Sequence, residues 1–164
     1  MGKIVGVLLD GFKHEAQQTR VVIETTEGVK PDHRPVNGMR TLRELSNHLA
    51  QIPRMDLAIL GGEITKPEQA QAMEKDLNRG SVADILKVFD EGVELVVKRL
   101  KGMTDKEALE PKLKPFYEQG PPKRWVDYLQ EITTHIAMHK MQLWMYLKTA
   151  GVPVTMMTYY GVKH

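Results

Sequence analysis

Four segments in which apolar side chains recur every three or four residues constrain this chain most. Such a stripe occupies one face of a helix and has to be buried against another element. The first segment runs from about Ile4 to about Glu27, with Val7, Leu8, Phe12, Ala16, Val21, Val22 and Ile23 inward and Gly28 closing it. Its β-branched run from Val21 to Thr26 also suits a strand, but no partner strand is evident elsewhere, which favours helix. Thr41 and Glu44 form a capping-box signature ahead of the second segment, which carries Leu42, Leu45, His48, Leu49, Ile52, Met55, Leu57, Ile59 and Leu60. Pro53 lies inside it and removes one backbone hydrogen bond shortly after His48. Ser81 caps the third segment, with Val82, Ile85, Leu86, Phe89, Val93, Val96, Val97 and Leu100 on its apolar side and Gly102 at its end. The fourth runs from about Lys123 to Thr149 and stops at Ala150-Gly151-Val152-Pro153.

Four amphipathic helices without a strand pair predict an all-α four-helix bundle. A short extra helix is expected in the connection after Thr65, with Thr65 as its cap and Pro67 in its first turn. The stretch from Met103 to Pro122 is a long proline-rich connection that holds Phe116 and Tyr117, so part of it is expected to pack on the bundle. The 164 residues suit a single domain spanning 1–164, large enough to bury a core without staples.

Charge is nearly balanced, at +2 from 23 basic and 21 acidic residues, and no basic block occurs. Neither nucleic acid nor an anionic membrane is demanded as a partner. With no cysteine there is no disulfide, thiolate ligand or cysteine nucleophile, which agrees with a reducing cytoplasm. The N-terminal apolar run lacks the features of a signal peptide, and no stretch is apolar enough for a membrane span.

Chemistry concentrates in three histidines. His135 and His139 are four residues apart, so on a helix they sit one above the other on one face. They share that face with Trp125, Leu129, Ile132, Leu143, Tyr146 and Leu147, the inward stripe of the fourth segment. His48 shares the stripe of Leu45, Leu49, Ile52 and Met55. Packing of the two helices would bring three imidazoles together, and neutral imidazole is a good ligand for Zn, Ni, Cu or Fe. The competing reading is three core histidines, each hydrogen-bonded separately; one metal ion would satisfy them all. Three protein nitrogens leave an open coordination position, as in catalytic rather than structural sites. His14 and His33 neighbour charged or turn residues and His164 is terminal, so none of these is a favoured ligand.

Glu44 and Glu131 each precede a candidate ligand by four residues and are possible orienting groups or bases, although Glu44 also fits a capping box and Glu131 a solvent face. Asn47 and Gln142 neighbour the site in sequence and could orient a water. No catalytic residue can be singled out. A di-iron carboxylate site needs inward glutamates on four helices with two Glu-x-x-His pairs, and that spacing is absent. Met138, Met141 and Met145 recur at near-helical spacing, as core or a subunit contact, and Trp144 lies off the histidine stripe, which suggests a dimer contact.

Leu42-Arg43-Glu44-Leu45-Ser46-Asn47-His48-Leu49, the opening Ser81-Val82-Ala83-Asp84-Ile85-Leu86, and His135-x-x-x-His139-x-x-Gln142-Leu143-x-x-Tyr146-Leu147-Lys148-x-x-Gly151-Val152-Pro153 together resemble the DinB-like family. The resemblance reaches from the first helix to Pro153. It implies a four-helix bundle with up-down-down-up connectivity and one divalent metal, nickel or zinc, held by residues matching His48, His135 and His139. It further implies a homodimer, and an S-transferase using a low-molecular-weight thiol or a metal-dependent hydrolase. The alternatives are a non-catalytic metal-binding bundle and a metal-free helical interaction module. One departure is Lys140-Met141, where the family often has Arg-Gly; a small residue that would allow close helix approach is lost.

Overall fold

Helix starts follow the capping chemistry of the sequence. In the computed structural model, which describes residues 1–162, Thr41 and Glu44 exchange side-chain and backbone hydrogen bonds of 3.2 and 2.7 Å at the start of α2 (Leu42–Leu60). Ser81 accepts from the Asp84 amide at the start of α4 (Val82–Lys101). The other long helices are α1 (Lys3–Glu24) and α6 (Trp125–Thr149). Short helices α3 (Pro67–Leu77), α5 (Asp105–Leu109) and α7 (Met156–Tyr159) occupy connections and the tail.

The β-branched run Val21–Ile23 is helical, as expected; all three side chains are buried in the bundle and tertiary packing outweighs β propensity. Other local expectations are revised. Val7 is 73% exposed rather than inward, since Val5, Leu9 and Phe12 hold the buried side of α1. Lys66, not Thr65, is the N-cap of α3; the Gln69 side chain reaches back to the Thr65 amide instead. The connection after Met103 contains α5 and a single antiparallel bridge between Leu113 and Lys123.

The four long helices form a bundle in which α1 lies between α4 and α6, and α2 lies on the opposite side between the same two. Direction follows from the side-chain contacts. Arg20 of α1 meets Asp90 of α4, while the α1 start is capped by Asp105, just beyond the α4 end, so α1 and α4 run antiparallel. Glu15 of α1 meets Lys140, and the α1 C-terminal residues Val21 and Thr25 share a hollow with Val152, so α1 and α6 are parallel. His48 meets His139 and Asp56 meets His135, so α2 and α6 are antiparallel. The connectivity is therefore up-down-down-up.

Pro53 stays inside α2, and α4 answers it with Gly92. A Cβ at Gly92 would lie 3.1 Å from the Arg54 amide nitrogen and 3.2 Å from Pro53 Cβ, so only glycine lets the two backbones come this close. The core is made of residues such as Phe12, Leu45, Leu49, Phe89, Ile132, Ile136, Leu143 and Tyr146, each 1% exposed or less. Within the described residues, no helix is long and apolar enough to cross a membrane.

Candidate metal centre

The inward stripes of α2 and α6 bring His48, His135 and His139 to one point. His48 and His139 place their Nε2 atoms 3.2 Å apart, and one ligand nitrogen from each of the three rings lies within 4.8 Å of the other two. Two nitrogens bound at 2.0–2.1 Å to a tetrahedral cation sit about 3.3 Å apart, which the His48–His139 pair matches, with His135 close enough to be a third donor.

The outer ring nitrogens decide which lone pairs face the centre. His135 Nδ1 is 2.8 Å from the Asp56 carboxylate, and His139 Nδ1 is 2.8 Å from Gln142 Oε1. In the neutral rings each Nδ1 donates its proton outward, which leaves both Nε2 lone pairs turned inward. A hydrogen bond between His48 and His139 would use only one of these lone pairs, whereas an ion uses all three donors.

Electrostatics favours neutral rings at two of the three positions. Burial, with the nearby Arg40 charge and the other two histidines, pushes His48 down to about 4. Burial also lowers His139, against the opposing effect of the hydrogen bond it donates to Gln142. His135 moves the other way, because its hydrogen bond to Asp56 favours the protonated ring over the opposing effect of burial.

Around the rings are two hollows. One of about 250 Å³ has Ile52, Met55 and Ile59 along one wall and is shared by His48, His135, Asp56, Gln51, Arg40 and Glu74. The other, of about 370 Å³, is lined by Arg40, Glu44, His48, Glu74 and Asn78 with Gly38 and Met39. Burial, with the carboxylates of Glu131 and Asp56, raises the Tyr117 phenol to about 12, so it stays protonated at neutral pH.

The remaining sequence candidates take different places. Gln142 touches His139 directly. Glu44 is exposed and spends its carboxylate on the Thr41 amide. Asn47 binds the Arg79 backbone and the Arg43 carbonyl, so it ties α2 to the turn before α4. Glu131 is exposed and lines an open groove with His135 and Met138. His14 bonds Gln18, and His33 bonds Thr149, both away from the triad. His164 lies outside the described residues.

Sequence reasoning missed Asp56. Its signal was an acidic residue two turns after His48, on a stripe otherwise held by Ile52, Met55 and Ile59. Trp144 is a further correction. Its indole is 8% exposed and donates to the Thr155 carbonyl at 2.9 Å, so the chain's own tail covers it rather than a second subunit. Met138, Met141 and Met145 are not core; they are 57%, 37% and 49% exposed. The loss of a small residue at position 141 costs no helix approach, because that side chain faces solvent.

A family model described as the DinB superfamily matches residues 12–143. A 1.70 Å crystal structure assigned to the DinB family, from Exiguobacterium sibiricum 255-15, has a TM-score of 0.74 and 21% identity, covering 94% of this chain and 97% of that one. At that identity the likeness speaks for the fold. No curated protein gives a significant sequence match.

Proposed function

The chain belongs to the DinB superfamily, and from the three imidazoles at the centre of its bundle we propose that it is a metal-dependent enzyme of S-transferase or hydrolase type. The observation that carries this reading is the 3.2 Å approach of His48 and His139 Nε2, with His135 completing the set. His48, His135 and His139 would hold one divalent ion, nickel or zinc, and the donors the protein supplies are all imidazole nitrogens. When bound, the ion supplies the positive charge that acidifies a water or a low-molecular-weight thiol at its open position.

The chain's own residues do the rest. Asp56 fixes the His135 tautomer and contributes a negative charge near the cation. Gln142 orients His139. Ile52, Met55 and Ile59 give the adjoining hollow a dry wall that excludes water from a small substrate. The reading includes a homodimer in the cytoplasm. The exposed Met138, Met141 and Met145 on α6 support the dimer, and the absence of cysteine supports the compartment.

Metal analysis of protein purified without a histidine tag is the test. The expected result is stoichiometric nickel or zinc in the wild type and its loss in His48→Ala and His135→Ala. A metal-free interaction module is the second reading, favoured by the same 3.2 Å contact taken as a hydrogen bond between neutral rings. Folded, untagged protein that takes up no divalent ion at neutral pH would establish that alternative.

A further inference from the structure

We propose that Arg40 is the anion-recognition residue of this site, selecting small organic acids whose carboxylate it takes while their other end reaches the histidine triad. The inference rests on the metal reading above and adds the substrate class.

Arg40 is held in place from both sides. Tyr146 Oη donates to its carbonyl at 3.1 Å, which pins the backbone to α6. The next residue, Thr41, is locked in the capping box of α2. The side chain is left free: among the described residues the Arg40 guanidinium makes no hydrogen bond or ion pair. Arg20 and Arg124, by contrast, are engaged with Asp90 and Asp127.

Arg40 lines both hollows beside the triad, and His48 and Glu74 are the other residues common to the two. The 250 Å³ hollow combines the apolar Ile52, Met55 and Ile59 with Arg40 and with the His48 and His135 rings, and is smaller than the usual drug-sized pocket. It suits a short molecule with an apolar middle and polar ends.

Charge complementarity sets the sign of the outer end. The carboxylates on this hollow are Asp56 and Glu74. Asp56 is engaged with His135, and a divalent ion together with Arg40 outweighs the two acids. Glu44, on the neighbouring hollow, is occupied by Thr41. The planar guanidinium offers two parallel N–H donors, which match a carboxylate and have no equivalent match in a neutral amide.

Isothermal titration calorimetry on nickel- or zinc-loaded full-length protein tests the assignment with isosteric probes. These are 3-mercaptopropionate against 3-mercaptopropionamide, and 6-mercaptohexanoate against its amide, so that two reaches are covered. At one length or both, the acid is expected to bind the wild type about tenfold or more tightly than the amide, and the preference is expected to shrink with added salt. Arg40→Gln should bring the ratio close to unity with unchanged metal content and unchanged circular dichroism, and Arg40→Lys should restore part of it. Equal affinities at both lengths in the wild type, or an acid preference that survives Arg40→Gln, would overturn the proposal. Absence of metal uptake would bring down the metal reading and this one with it; metal uptake without an acid preference would bring down only the role of Arg40.

Discussion

The Asp56 carboxylate of α2 lies 2.8 Å from Nδ1 of His135 on α6, a contact between residues 79 positions apart that ties one candidate ligand to the helix bearing another. A carboxylate in this position fixes ring orientation and raises the basicity of the inward nitrogen. Asp56→Asn keeps the shape of the side chain and removes its charge. The expected outcome is a folded protein whose zinc or nickel affinity falls about 10- to 100-fold, measured by competition with a chelating dye. Unchanged affinity would show that Asp56 does not support the centre.

Acid should weaken the metal-free protein through two of the three histidines. His48 is held down to about 4 against an ordinary value of 6.5, and His139 is lowered as well. A ring that resists protonation only when folded contributes stability that is complete above 6.5 and is lost as pH falls towards the folded value. His135 is raised by Asp56, so its contribution is complete below the unfolded value and is lost as pH rises through the folded one. The His135 contribution is already complete below 6.5, so the two lowered groups give a net loss as pH falls from 6.5 towards about 4. Thermal melts of metal-free protein across that range should show a falling midpoint, with a shallower slope in His48→Gln. An identical slope in the variant would exclude His48 as a contributor.

Lys140 makes an independent test of the α1–α6 interface. Its ammonium is buried, 2.8 Å from Glu15, 2.7 Å from Gln18 and 4.0 Å from the ring centre of Tyr159. Its position is 1% exposed. Lys140→Met leaves the Glu15 carboxylate, 17% exposed, without its cation. Removing one partner of a fully buried pair costs about 3–5 kcal/mol; with the partial exposure of Glu15 we expect about 1–3. The double variant Lys140→Met/Glu15→Gln should recover much of the loss, giving a coupling free energy in a denaturation cycle. Strictly additive effects would show that the pair is not coupled.

Gly92→Ala probes the crossing of α2 and α4. The new methyl would sit 3.1 Å from the Arg54 backbone nitrogen, an atom that cannot swing aside as a flexible side chain can. Overpacking of this kind costs about 1–3 kcal/mol, which exceeds the gain in helix propensity from replacing glycine. Urea denaturation should show a lower midpoint at unchanged slope. A stabilised variant would mean that α4 shifts outward freely and that the close approach is not required.

Much of the bundle can be read from local chemistry. The stripe on α4, the capping box of Thr41 and Glu44, the Ser81 cap and the stop at Gly151, whose φ is +82°, all act within a few residues of where they occur. Periodicity also tells which side of each helix is inward, and so places His48, His135 and His139 on buried stripes before any helix is packed. It does not tell how far one helix slides along another or how it rotates. Those two quantities decide that Asp56 meets His135, that Lys140 is sealed beneath Tyr159, that Trp144 is covered by Thr155, and that Asp105 caps α1 from a hundred residues away. The sequence alone therefore determined four amphipathic rods and the faces that carry imidazole, because hydrogen bonds and burial along one helix depend on neighbours in the chain. Only the packed bundle decided which nitrogens meet and which charges stand beside them, because those contacts join residues that the chain itself keeps far apart.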